Sequence, residues 1–186
     1  WHLNIAVMNQ VLLCLFAIPF TAANTQQLQD QLESNLEPLM KKVIEWRHDL
    51  HQFPELSNRE FKTAKKVEAH LRGLGLEVQT GIAHTGVVAI LKGAKPGPMV
   101  ALRADMDALP VTEMTGLPFA SQQTDTYNGQ NVGVMHACGH DAHVAILMGV
   151  AEFLASVRNE LSGSVMFIFQ PAEEGAPVGE EGGAKL

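Results

Sequence analysis

Between Val144 and Val157 the sequence is apolar at nearly every position: Val144, Ala145, Ile146, Leu147, Met148, Val150, Ala151, Phe153, Leu154 and Val157. A run of this length predicts a helix with Asp141 as its N-cap, reaching about Arg158. Because it is apolar nearly all round, it must be covered on most sides, as a helix packed against a sheet is. The flanking sequence supplies the sheet. Leu76–Thr80, Gly86–Leu91 and Met99–Arg103 are short β-rich runs punctuated by Gly and Pro. Val165–Phe169 reads as a fully buried strand stopped by Pro171.

Upstream, Leu28, Leu32, Leu36, Leu39, Val43, Trp46 and Leu50 recur at helical spacing. Pro38 should kink this helix or begin a new one. Phe53-Pro54 ends it, and Ser57 followed by Glu60 reads as a capping box opening a second helix. Phe61, Ala64, Val67, His70 and Leu71 mark the buried stripe of that helix, with Gly73 as its stop. His48 and His51 lie three apart on one helical face and read as structural or capping residues. The stretch Ala108–Val134 holds Pro110, Gly116, Pro118, Asn128 and Gly129, and no element is assigned to it. Long loops of this kind are often rims or lids of sites. Alternating helices and strands indicate an α/β sandwich.

A chain of 186 residues with 46% hydrophobic and 18% charged residues is a globular domain with a sizeable core. A net charge of −7 argues against nucleic acid as a partner. The first 29 residues carry no Asp, Glu, Lys or Arg. Within them Val11–Phe20 is apolar, too short to span a bilayer, and is followed by Thr21-Ala22-Ala23. Residues 1–23 therefore read as a secretory signal, initiating at Met8, with residues 24–186 as the catalytic part. That predicts a periplasmic or secreted protein with no membrane span in the mature chain. Cys14 falls inside the leader, so Cys138 is then the only thiol and no internal disulfide forms.

Three polar motifs carry the chemistry. His136-Ala137-Cys138-Gly139-His140-Asp141-Ala142-His143 offers a thiol and imidazoles, ligands suited to a borderline cation such as zinc. Cys138 and His140, two apart, converge on looped chain. Asp105 and Asp107 follow one strand, and Glu173 and Glu174 follow another. In open α/β sheets ligands gather beyond the carboxyl ends of strands, so all three motifs can meet in one crevice. One of the two Asp residues can then orient a ligand His, while one Glu binds metal and the other reaches water. The helix start at Asp141 would favour the Cys138 thiolate. Two other readings stay open: Cys138 as a nucleophile paired with His140 or His136, or a non-catalytic protein with a structural zinc.

These motifs, with Arg103-Ala104-Asp105-Met106-Asp107-Ala108-Leu109-Pro110 and Gln170-Pro171-Ala172-Glu173-Glu174-Gly175, resemble the metal-dependent amidohydrolases related to aminoacylase and the carboxypeptidases. Arg47-His48-Asp49-Leu50-His51 with Pro54-Glu55-Leu56 and Glu60 is similar to the N-terminal signature of the hippurate hydrolase, N-acyl-amino-acid amidohydrolase and auxin-conjugate hydrolase branch. The resemblance implies a zinc-peptidase-like catalytic domain, a three-layer α/β sandwich with a mixed sheet, incomplete in this chain. It implies two divalent metal ions (zinc, or manganese, cobalt or nickel) bridged by Cys138, with His140 and Glu174 as terminal ligands. Glu173 would be the general base, Asp107 the partner that orients a ligand His, and His136 and His143 stay unassigned. The reaction implied is hydrolysis of N-acyl amino acids by a metal-bound hydroxide. The same fold also serves carboxypeptidases and N-acyl-diaminopimelate-type deacetylases acting on short peptides or related amides. Family members are longer, with a satellite dimerisation domain and two further His ligands. The expectation is therefore an N-terminal fragment, inactive alone and homodimeric when full length.

Overall fold

The computed structural model describes residues 22–186. The leader, apart from its last two positions, lies outside the described residues. Helix α1 spans Ala22–Gln52 and α2 spans Phe61–Gly73. Strands β1 (Glu77–Ile82), β2 (Gly86–Lys92) and β3 (Lys95–Asp105) follow. A small hairpin, β4 (Thr124–Tyr127) and β5 (Gln130–Gly133), precedes α3 (His140–Ser156) and β6 (Ser162–Gln170).

The main sheet runs β1-β2-β6-β3 and is mixed. β1, β2 and β6 pair antiparallel, whereas β3 lies parallel to β6. Val87, Ala89 and Leu91 of β2 stand in register with Phe169, Phe167 and Val165 of β6, and all six are buried on one face. Val88, Ile90, Met166 and Ile168 point to the other face and are only half-buried. The β6 run expected to be buried on both sides is thus buried on one, among the described residues.

Helix α3 lies between the sheet and α1, sharing one core with Leu39, Val43 and Leu50 of α1 and Phe167 and Phe169 of β6. This placement accounts for its all-round apolar character. Gly149 makes the close crossing possible: a Cβ there would stand 2.7 Å from Val43 Cγ2. Pro38 neither ends nor restarts α1, which is continuous through it. The buried stripe Leu28, Leu32, Leu39, Val43 continues on both sides, so packing outweighs the loss of one main-chain hydrogen bond.

Two cap expectations are corrected. The N-cap of α3 is Gly139 at φ +94, not Asp141, which lies in the first turn with its carboxylate engaged elsewhere. Ser57 and Glu60 do not form a capping box. The Glu55 carboxylate instead accepts from the main-chain N–H groups of Lys62 and Thr63 at the start of α2. The stretch left unassigned contains the β4–β5 hairpin, turned at Asn128 and Gly129, both with positive φ. Asn-Gly is the dipeptide such a turn favours, so the signal was present in the sequence. Among the described residues, no helix is long and apolar enough to cross a membrane.

Replacing Gly149 by Leu should push α1 away from α3 and destabilise the protein by about 1–3 kcal/mol. Urea unfolding followed by circular dichroism measures it, and an unchanged midpoint would contradict the close crossing.

Candidate metal centre

β3 and β6 are parallel and end together, Asp105 facing Gln170 in register. The chain beyond each therefore emerges from one edge of the sheet. Met106 donates its main-chain N–H to the Gln170 carbonyl at 2.9 Å and Leu109 pairs with Met135, which carries the next segment past the same edge. Asp105, Asp107, Cys138, His140, Glu173 and Glu174 are thus delivered to one place by three loops.

His140 is buried, and its ring is oriented by Asp107. Nδ1 lies 2.8 Å from the Asp107 main-chain oxygen and 3.3 Å from its carboxylate Oδ1. With Nδ1–H donated there, Nε2 is the nitrogen that faces the pocket, 3.8 Å from Glu173 Oε2 and 3.9 Å from Glu174 Oε1. The ligand atoms of Cys138, His140 and Glu174 lie within 4.8 Å of one another. A second triad, Asp105, His140 and His143, shares the same imidazole under the same limit. Asp105, one of the two acids expected to orient a ligand His, and His143, unassigned from the sequence, both enter here. Glu173 is the more open of the paired acids, its side chain 41% exposed against 20% for Glu174.

The electrostatics are those of an anionic pocket. Burial works against a charged His140, but the Asp107 carboxylate and carbonyl, with Asp105 nearby, outweigh it and push the imidazole up to about 9. A hydrogen bond with Glu174, then burial, then the charges of Glu174, Glu173 and Asp105 push the Cys138 thiol up to about 11. The acids therefore outweigh the helix terminus expected to favour a thiolate. Glu174 Oε1 and Asp105 Oδ1 are buried without a hydrogen-bond partner. Orphaned carboxylate oxygens beside a thiol and an imidazole, whose protons a divalent cation would displace, are a donor set that fits such a cation.

Behind the pocket the supports are polar and buried. Asp107 Oδ2 accepts from Ser57 Oγ at 2.6 Å and from the Glu174 main-chain N–H at 2.9 Å. Burial alone would raise Asp107, yet these donors and His140 hold it below the usual carboxylate range. Glu60 is fully buried, which pushes its carboxyl up, and it accepts from Thr85 Oγ1 at 2.5 Å and from the Ala172 N–H at 2.9 Å. Ala172 has φ +49, so Glu60 holds the bend that turns Glu173 and Glu174 into the pocket. Both Ser57 and Glu60 were assigned by sequence to a helix cap and belong instead to this scaffold.

His48 and His51 face a different set of groups. His51 is buried, with Nδ1 2.8 Å from Asp141 Oδ2 and Nε2 3.1 Å from Glu113 Oε1. Arg47 Nε donates to the same Asp141 oxygen at 3.1 Å. His48 stacks on Phe119, with ring centroids 3.8 Å apart. His136 is buried beside this group with neither ring nitrogen partnered, and burial pushes it down to about 4.

The profile of Peptidase family M20/M25/M40 matches residues 101–186, the span that holds every acid, thiol and imidazole of the pocket. This chain belongs to that family. Among its relatives, thermostable carboxypeptidase 1 of Saccharolobus solfataricus is 46% identical over 159 residues, covering 85% of this chain and 38% of the relative. The N-acetyl-L-cysteine deacetylase of Bacillus subtilis is 45% identical over 140 residues, covering 75% of this chain and 32% of the relative. A crystal structure of a B. subtilis protein described as a dinuclear metal-binding peptidase of the M20 family superposes with a TM-score of 0.66. It is 46% identical and covers 74% of this chain and 36% of that one. The chain thus spans well under half the length of these relatives.

Two outcomes follow from the supports. Glu60→Ala leaves the Ala172 N–H and the Thr85 hydroxyl buried without an acceptor and should cost about 1–3 kcal/mol in urea unfolding. Glu60→Gln keeps an acceptor for Ala172 and should cost much less. The second outcome concerns pH. Hydrogen bonding to Asp141 raises His51 against the opposing effect of burial, with Glu113 adding to it. A raised histidine contributes stability that is complete below the unfolded value near 6.5 and is lost as pH rises through its folded value. Burial acts to raise Asp141 and Glu113, but their donors hold both low. Their contribution is therefore lost on acidification instead. In metal-free buffer the melting temperature of the wild type should fall as pH rises above about 6.5, and the His51 share of that fall should vanish in His51→Asn.

Proposed function

We propose that the protein hydrolyses the amide bond of N-acyl amino acids, using divalent metal held by Cys138, His140 and Glu174, with Glu173 as general base. The observation that carries this reading is the convergence of those three ligand atoms within 4.8 Å, beside an open second carboxylate. A divalent cation in such a donor set supplies Lewis acidity and acidifies bound water. The remaining steps belong to the chain. Asp107 keeps the His140 proton on Nδ1, so Nε2 presents a lone pair to the pocket. Glu173, close to His140 Nε2 and open to solvent, takes a proton from the attacking water and returns it to the leaving amine nitrogen.

Cys138 and Glu174 share the pocket, and the description of the B. subtilis neighbour as dinuclear supports two cations here, which Cys138, His140 and Glu174 would help to hold. Zinc, manganese, cobalt and nickel all accept this mixture of sulfur, nitrogen and oxygen. The deacetylase relative supports an N-acyl amino acid substrate. The carboxypeptidase relative supports a second reading, cleavage of a C-terminal residue from a short peptide by the same groups. The apolar run Val11–Phe20 supports a periplasmic or secreted location.

The test is an assay of the full-length protein loaded with zinc, manganese or cobalt against a panel of N-acyl amino acids and short peptides. N-acyl amino acids should turn over faster than peptides; preference for peptides would select the second reading, and no turnover of either would end both. Glu173→Gln should keep its metal and lose about 10²–10⁴-fold in kcat. Cys138→Ala should lose metal as well as activity, measured by elemental analysis after dialysis.

A further inference from the structure

Arg47, His51, Asp141 and Glu113 form a buried group outside the ligand set, and the proposed reaction does not use them. Their arrangement is specific. Asp141 is the residue after His140, in the first turn of α3. Its Oδ2 accepts from Arg47 Nε and from His51 Nδ1, both near the C-terminal end of α1. The opposite ring nitrogen of His51 meets Glu113. Glu113 in turn gathers its own loop, accepting from the Ser121 main-chain N–H at 2.5 Å through Oε2 and from the Thr115 hydroxyl through Oε1. Phe119 of that loop lies edge-on to the His51 ring, with centroids 5.6 Å apart.

The loop is tied to the pocket at both ends. It leaves Asp107 through Leu109, which pairs with Met135, and Ser121 Oγ donates to the Val134 carbonyl at 2.7 Å. One imidazole therefore joins the segment that follows Asp107 to the helix turn that carries His140. Arg47, which also bonds Asp141, lies over the Phe119 ring of the same loop at 5.9 Å, but among the described residues only the His51 ring meets both carboxylates. The side chains of His51, Asp141 and Glu113 are almost wholly shielded from solvent, so their mutual contacts are not screened by water.

We propose that His51 is a positioning residue for the metal centre: its Nδ1 bond to Asp141 fixes the first turn of α3, and hence His140, while its Nε2 bond to Glu113 holds the ring in that orientation. The inference rests on the metal-binding reading of the pocket. It assigns a role to the second histidine of the Arg47-His48-Asp49-Leu50-His51 motif, whose sequence gave only a helical face. Both nitrogens can donate to carboxylates only in the imidazolium form, which the flanking acids favour. The two bonds are separable by chemistry. An Asn amide nitrogen occupies the place of Nδ1 and reaches Asp141 only. A Gln amide nitrogen occupies the place of Nε2 and reaches Glu113 only.

The experiment measures zinc affinity of the full-length protein by competition with a chromophoric chelator, with melting temperature recorded beside it. Loss of an outer partner of a metal ligand typically weakens metal binding about 10–100-fold. His51→Ala should show a loss in that range, His51→Asn should bind within about threefold of the wild type, and His51→Gln should resemble the Ala variant. Should His51→Ala fail to fold, the Asn and Gln pair carries the comparison alone. Equal affinity in wild type, Asn and Gln overturns the proposal, as does an equal loss in Asn and Gln, which would mark a packing role. A wild-type protein that takes up no zinc instead removes the metal-binding reading and the positioning role together.

Discussion

A carboxylate can be sealed from water only where donors or opposite charge meet its oxygens. Asp107 is sealed, and three separate stretches of chain meet it. Ser57 reaches it from the segment before α2, the Glu174 N–H from the bend after β6, and His140 from the start of α3. The first two contacts fix segments that have no regular secondary structure of their own, and the third anchors the start of α3 to them. Around this one residue the strand ends become a pocket. Without it, the three loops would share an edge of the sheet but not a geometry.

The scaffold repeats this device twice more. Glu60 satisfies the main chain of Ala172, and Glu113 gathers the loop between Leu109 and Ser121. In each case a buried acid, not an apolar contact, sets the path of an irregular segment. The apolar core does a different task. α1, α3 and the sheet place the loops side by side, and the buried acids then set their shape.

Much of the framework was legible in the sequence because it depends on local pattern. All four strand runs are present, the α3 segment is helical, and its all-round apolarity correctly required cover on two sides. The parallel ends of β3 and β6 justify the inference that Asp105/Asp107 and Glu173/Glu174 emerge together. What could not be read was which partner a polar side chain chooses. Ser57 and Glu60 have the spacing of a capping box, yet their partners lie 50 and 112 residues away in Asp107 and Ala172. Asp141 was a plausible cap for the same local reason and is instead held by Arg47 and His51. Local spacing constrains a backbone; it does not rank a nearby amide against a distant hydroxyl. The missed hairpin is a different case, since Asn128-Gly129 announced it.

Cys138 stands exposed among carboxylates that keep its proton in place. Disulfide exchange and oxidation to the sulfenic acid proceed through the thiolate, so a thiol held in its neutral form reacts slowly by either route. The negative pocket therefore also shelters the sulfur chemically, without a wall of side chains around it. In the metal-free protein that protection would keep the Cys138 sulfur reduced until a cation displaces its proton.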